Sequence, residues 1–307
     1  MTSSHTLRLL HVGDLHFWRI PLNPLAYANK RLLGVGNLLV GGRAKRFRQD
    51  QLPKLSHRLR EVGGDLMLIS GDFSSTALPA EFRAARALLE PLAPLFTQGI
   101  RAVPGNHDCY LGSPNEAETF ASTLGPALGP VKFFHEELLG AGVLLLAVNA
   151  TTSNGMGSHG RLTERHLSAI GESLARHSEA TRILFLCHFP QEHPPRLLPH
   201  DRGPQLLGGE KLLPVFVSDG RPTLWLHGHH HYRWIFRSPT AANLLYLNAG
   251  APALARKGPQ PDLGFHEVQL CEDLKVRTHW FEPGTSRWHA REAGIPHEPG
   301  GHEDLKR

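Results

Sequence analysis

The sequence predicts an α/β protein built from two β-sheets packed face to face with helices outside. Two observations carry that prediction. Apolar runs ending in Gly or Pro alternate with helix-spaced segments over the first three-quarters of the chain. Short β-type runs separated by Pro and Gly then dominate the last quarter.

The elements follow in order. Leu7 to Val12 reads as a buried strand that stops at Gly13. From about Gln49 onward, Leu52, Leu55, Leu59 and Val62 recur at helical spacing. Leu66 to Ser70 is a second strand, ending at Gly71-Asp72. Pro79 to Leu92 is helical, with Phe82, Ala85, Leu88, Leu89 and Leu92 on one face. Ile100 to Val103 is a short strand stopped by Pro104-Gly105, and Val143 to Asn149 is another apolar strand. Thr163 caps a helix that turns Leu167, Ile170 and Leu174 inward. Ile183 to Cys187 and Thr223 to Leu226 complete the alternating series. Trp234 to Arg237, Leu244 to Asn248, Phe265 to Leu270 and Val276 to Phe281 read as antiparallel hairpins or meanders. A single domain then covers 1–289. The tail at 290–307 is rich in Gly, Pro and charge and is expected to be loosely held.

At 307 residues, 40% hydrophobic and 20% charged, the chain has the balance of a soluble globular protein with a sizeable core. A net charge of +5 suits an anionic substrate, an anionic lipid surface or nucleic acid. No interleaved aromatic and basic strand platform for stacking bases is present, so nucleic acid is not the expected partner. Cys109, Cys187 and Cys271 are scattered, which excludes a disulfide framework and a Cys-x-x-Cys zinc site and points to a reducing compartment. The chain start lacks a charged region followed by an apolar one, and no apolar run approaches the ~20 residues of a membrane span. A cytoplasmic location is expected.

Chemistry-bearing residues recur at the ends of the apolar runs. They are Gly13-Asp14-Leu15-His16, Gly71-Asp72, Gly105-Asn106-His107-Asp108, His188 and Gly228-His229-His230-His231. Ligands of α/β sheets bind beyond the carboxyl ends of parallel strands, and Asp14, Asp72, Asn106 and His188 each fall just past such an end. In an extended segment side chains alternate, so Asp14 with His16, and His229 with His231, would each share one side. His230 would then face away. His11, inside a strand, reads as a packed histidine, and one of His227 and His230 is a candidate to line a phosphate site. The donors are hard oxygens and imidazoles without thiolate, a set suited to Mn, Fe, Zn or Co, with Mn favoured.

In these motifs the chain resembles the calcineurin-like metallophosphoesterase superfamily, from about Leu7 to Gly250. Leu184-Phe-Leu-Cys-His-Phe-Pro190 and the segment Arg161 to Leu174 are similar to its bacterial cyclic-nucleotide-phosphodiesterase-like branch. Gly13, Phe189 and Ala251 depart from that branch, which often has Ser or Ala, His, and Ser there. The resemblance implies a four-layer α/β/β/α sandwich of two mixed β-sheets flanked by helices. It implies two divalent metal ions. Asp14, His16, Asp72 and His231 would bind the first, and Asp72, Asn106, His188 and His229 the second, with Asp72 bridging. Two such cations neutralise a phosphodiester or phosphoanhydride, and a hydroxide bridging them attacks phosphorus. His107 would protonate the leaving group and Asp108 would orient His107. This complete set argues against a non-catalytic metal-binding scaffold.

An insertion at 17–49 carries seven basic residues and no acidic one. Apolar side chains from Phe17 and Trp18 to Val40 interleave with them, and Ala26 to Leu39 has the pattern of an amphipathic helix. Packing on the domain accounts for such a stretch. So does contact with an anionic membrane surface, at the inner face of the membrane, and so does a lid that admits a lipid chain or a bulky anion. The second reading opens an alternative activity, a membrane-surface pyrophosphohydrolase of a lipid-linked nucleotide such as UDP-2,3-diacylglucosamine.

Overall fold

Parallel strands order the centre of both sheets. The computed structural model describes residues 6–20, 42–111, 114–151, 158–194, 205–255 and 262–305. In the first sheet β1 (Leu7–Val12), β2 (Leu66–Ile69) and β3 (Ile100–Ala102) run parallel. The other edge of β1 pairs antiparallel with β12 (Gly264–Leu270), followed by β13 (Leu274–Glu282) and β14 (Arg287–Glu292). The second sheet has the order β15-β10-β11-β9-β7-β5-β4. Its parallel centre is β5 (Val143–Val148), β7 (Arg182–Cys187), β9 (Thr223–His227) and β11 (Leu244–Ala249). Antiparallel edges are added by β4 (Phe134–Leu139), β10 (Arg233–Arg237) and β15 (His302–Asp304). A small parallel pair joins β6 (Gly160–Arg161) to β8 (Leu206–Leu207).

Strand alternation divides the apolar side chains between layers. Leu7, Leu9, Leu66, Leu68, Leu145, Leu184, Leu226 and Val268 meet in the space between the sheets. Their alternates Leu10, Val12, Met67 and Ile69 face α1 (Leu52–Val62), α2 (Pro79–Leu89) and α3 (Pro114–Leu124) through Leu55, Leu59, Phe82, Leu89 and Phe120. Leu144, Leu146, Phe185 and Trp225 face α4 (Glu164–Arg176) and α5 (Leu212–Asp219) through Ile170, Leu174 and Phe216. The result is the four-layer α/β/β/α sandwich. Each leucine buried this completely contributes roughly 2 kcal/mol of transfer free energy, so the three apolar layers dominate the stability.

The tail differs from expectation. Ala290 to Glu292 complete β14, and His302–Asp304 form β15 on the open edge of β10. Leu305 is buried in the layer between the sheets. The Gly- and Pro-rich spacer reads as a loop, yet the unpaired backbone of β10 gives the next three residues a partner. The expected helix at Ala26 to Leu39 lies outside the described residues. The two roots of the insertion touch, because Trp18 Nε1 donates to the Phe47 carbonyl at 3.0 Å. No helix among the described residues is long and apolar enough to cross a membrane.

Candidate metal centre

The loops after β1 and β2 are laced together, with Asp14 N donating to Gly71 O and His16 N to Asp72 O, each at 2.9 Å. Extended geometry is not how the side chains reach one side. Asp14, His16, Asp72, His229 and His231 all adopt left-handed backbone conformations, with φ of 51°, 50°, 54°, 73° and 63°. Each such residue costs on the order of 1–2 kcal/mol, so the surrounding fold must impose the arrangement. Turns at the donors, and not strand alternation, group Asp14 with His16 and His229 with His231. The strand ends turn sharply at the donors themselves. Gly105 explains how tightly they turn, since a Cβ there would lie 2.2 Å from Asp72 Oδ1.

These turns bring all seven candidate ligands into two adjoining groups. One ligand atom each from Asp14, His16, Asp72 and His231 lies within 4.8 Å of the others. His16 Nε2 stands 2.9 Å from His231 Nε2. In the second group Asn106 Oδ1 lies 3.2 Å from His188 Nε2 and 3.0 Å from His229 Nδ1. Asp72 Oδ2 sits between the groups, 3.5 Å from His16 Nε2 and 3.6 Å from His188 Nε2. Its other oxygen accepts the backbone N–H of His107 at 2.8 Å, which fixes the carboxylate.

The donor set fits divalent cations. His188 donates Nδ1–H to the Ser70 carbonyl at 2.7 Å, so its Nε2 carries a lone pair. That lone pair faces a carboxylate oxygen and an amide oxygen, an arrangement that only a positive partner relieves. Burial holds His188 neutral, with its pKa pushed down to about 4, and burial likewise lowers that of His229. Neutral imidazole is the ligating form.

His107 stands beside the centre, its ring 5.0 Å from that of His16 and stacked 5.7 Å from Tyr110. Its Nδ1–H donates to the Ser75 carbonyl at 2.8 Å. The expectation that Asp108 orients this ring is corrected here. The Asp108 carboxylate accepts N–H bonds from Phe73, Ser74 and Gly105 and a hydroxyl bond from Ser74, all between 2.9 and 3.2 Å. It is a buried brace between two loops. Burial first, and then the neighbouring Asp72, push its pKa up to about 7.

Other residues fall outside the expectations or refine them. His227 packs against Trp234 and Tyr246 in the outer core, with its ring 4.7 Å from that of Trp234. His230 turns toward His193, 5.1 Å away. His11 is wholly buried and meets Ser70 Oγ at 3.1 Å. Sequence reading missed Ser75, Gln205, whose Oε1 lies 2.7 Å from His229 Nε2, and Phe47, whose ring lies 4.6 Å from that of His16. None belongs to a motif, and only the fold brings them in. Gly13 and Phe189, both departures from the resembled branch, have local causes. A Cβ at Gly13 would meet Ser70 Oγ at 2.4 Å. The Phe189 ring fills the space over Gly160, where a Cβ would come within 2.3 Å of it.

Residues 7–233 match the family model of calcineurin-like phosphoesterases. The chain belongs to that family. The cluster of Asp14, His16, Asp72 and His231 lies within the matched region and is of a kind that could hold a metal ion. The chain's fold is shared by a purple acid phosphatase from seeds of yellow lupin, Lupinus luteus, at 14% identity and a TM-score of 0.60. That alignment covers 94% of this calcineurin-like chain and 54% of the lupin chain, so the protein spans about half the length of its structural neighbour. No curated protein sequence matches it.

Proposed function

We propose that the centre holds two divalent cations, Mn foremost, and hydrolyses phosphodiesters. Asp14, His16, Asp72 and His231 hold one cation; Asp72, Asn106, His188 and His229 hold the other. The observation that carries this reading is the placement of Asp72 Oδ2 midway between His16 and His188, at 3.5 and 3.6 Å. A carboxylate so placed is shared by both groups. When bound, the cation pair neutralises phosphate charge and activates water as the nucleophile.

The chain's own residues do the rest. Asn106 contributes a neutral oxygen, so the centre retains net positive charge to receive a phosphate anion. His107 delivers a proton to the leaving oxygen. Its Nδ1–H is held by the Ser75 carbonyl, which leaves Nε2 as the proton-carrying atom on the opposite side of the ring. The Phe47 ring packs edge-on against His16, and the Tyr110 ring stacks on His107.

Activity with added Mn, compared across bis-p-nitrophenyl phosphate, p-nitrophenyl phosphate, cyclic AMP and a UDP-diacylglucosamine, tests the reading. Diesters are expected to be hydrolysed fastest, and a monoester preference would overturn the diesterase assignment. The lipid-linked alternative rests on the insertion root, where Ile20 is 43% exposed next to the basic Arg19 and Trp18 of the same segment meets Phe47, whose ring lies 4.6 Å from that of His16. Its measurement is co-sedimentation with anionic vesicles at low salt. Absence of binding together with no pyrophosphate cleavage removes it.

A further inference from the structure

We propose that Gln205 is the positioning residue for His229, holding its imidazole in the tautomer that offers Nδ1 to the second cation; this rests on the two-cation reading above. The two nitrogens of the His229 ring have different partners. His229 Nδ1 points into the centre, 3.0 Å from Asn106 Oδ1, while Nε2 points out of it, 2.7 Å from Gln205 Oε1. A neutral imidazole has one N–H and one lone pair, so the partner of one nitrogen decides what the other presents. An amide oxygen at Nε2 takes the N–H there and leaves the lone pair at Nδ1, facing inward. His188 obeys the same logic with its nitrogens reversed, its Nδ1–H held by the Ser70 carbonyl. Both imidazoles of the second group are thus oriented by neutral oxygens outside the ligand set.

Gln205 is itself fixed. Gly160 N donates to the Gln205 carbonyl at 2.8 Å. The next residue, Leu206, is fully buried and pairs with Gly160 in the β6–β8 ladder. Gly160 lies against the Phe189 ring, and Phe189 is 5.2 Å from His229, ring to ring. The small ladder is therefore pressed onto the same wall that carries His188 and His229. It presents the amide to the outer nitrogen of His229. Its contact is with His229, a donor of the second group, so its effect is expected at the second cation.

The test is titration of metal-free wild type, Gln205→Ala and Gln205→Glu with Mn(II), followed by calorimetry and by the electron paramagnetic resonance signal of a spin-coupled Mn pair. Wild type is expected to take up two ions. Gln205→Ala is expected to keep the first-site affinity, to bind the second ion roughly 10–100-fold more weakly, and to lose the coupled signal at limiting Mn. Gln205→Glu, which still accepts from Nε2–H, is expected to restore both. The retained first-site affinity, with circular dichroism, reports that each variant is folded. Wild-type affinity at both sites in Gln205→Ala overturns the proposal while the two-cation reading stands. Equal weakening at both sites, or failure of Glu to rescue, makes Gln205 merely structural and overturns it as well. A wild type that binds fewer than two ions defeats the two-cation reading itself.

Discussion

His107 and Asp108 are neighbours in sequence with separate tasks, and substitutions should separate them. His107 reaches the centre with its Nδ1–H on a backbone carbonyl, whereas Asp108 spends its carboxylate on loop amides. His107→Ala is expected to retain metal and to slow diesters with alkyl leaving groups by roughly 100-fold to 10,000-fold. Bis-p-nitrophenyl phosphate, whose leaving group needs no proton, should be hydrolysed at a rate close to wild type. Steady-state kcat on the two substrates is the measurement, and equal losses on both would remove the proton-delivery role. Asp108→Asn should behave otherwise. It sets an NH2 group among N–H donors and leaves a buried amide unpaired, a cost of about 1–3 kcal/mol. The urea midpoint should fall, while the dependence of kcat on leaving group stays that of wild type. Asp72→Asn removes the carboxylate shared by both groups, so metal content by elemental analysis and activity should fall together.

The short segments that join strand to donor are the elements most constrained by the site. Gly105 lies where any side chain would strike Asp72, with a Cβ 2.2 Å from Oδ1 and 2.7 Å from the Asp72 nitrogen. Gly105→Ala must push Asp72 aside, and Mn affinity measured by calorimetry should drop at least about tenfold because, on the two-cation proposal, both cations would use that carboxylate. At the far end of the chain the reverse holds. Leu305 fills the inter-sheet layer behind β15, so Leu305→Ala should cost about 2–4 kcal/mol in urea unfolding and leave catalysis unchanged. These two elements also mark what the sequence can and cannot disclose. The strands β1, β2, β5, β7 and β9 were legible because short unbroken apolar runs between polar or turn-forming segments leave few alternatives. The candidate ligands were legible because each follows an apolar run within a few residues. β15 was not, because three polar residues carry no period and become a strand only when β10 supplies an edge. The left-handed turns were not, because Asp and His adopt positive φ more readily than most side chains but still uncommonly, and only the assembled rim imposes it at these positions. Gln205 was not, because its contact with His229 depends on a two-residue ladder with no pattern of its own.

Across the whole molecule, the histidines outside the centre set how the fold answers to acid. His11, His227 and His266 are fully buried in core layers, and none belongs to the candidate ligand set. Burial is the leading cause that lowers the pKa of each. For His266 it falls to about 3, and for His11 and His227 well below the ordinary value. His266 is held between the Thr278 hydroxyl at 3.1 Å and the Asn248 carbonyl at 2.9 Å, a pairing that a neutral ring with one N–H satisfies. The unfolded chain protonates these rings near pH 6.5, and the folded chain resists until far lower pH. Stability from this source is therefore complete above about pH 6.5 and is lost as pH falls toward the folded pKa values. Each such histidine adds a slope of about 1.4 kcal/mol per pH unit within that window. Urea unfolding of the Mn-loaded protein at intervals from pH 7 to pH 5 should show steeply falling stability below pH 6.5. His266→Gln, which removes one titrating ring, should have a slope shallower by about 1.4 kcal/mol per pH unit. Proton competition with the bound cations contributes equally to both proteins, so the difference isolates His266. Identical slopes would mean that His266 is already protonated in the folded state or remains solvated in it.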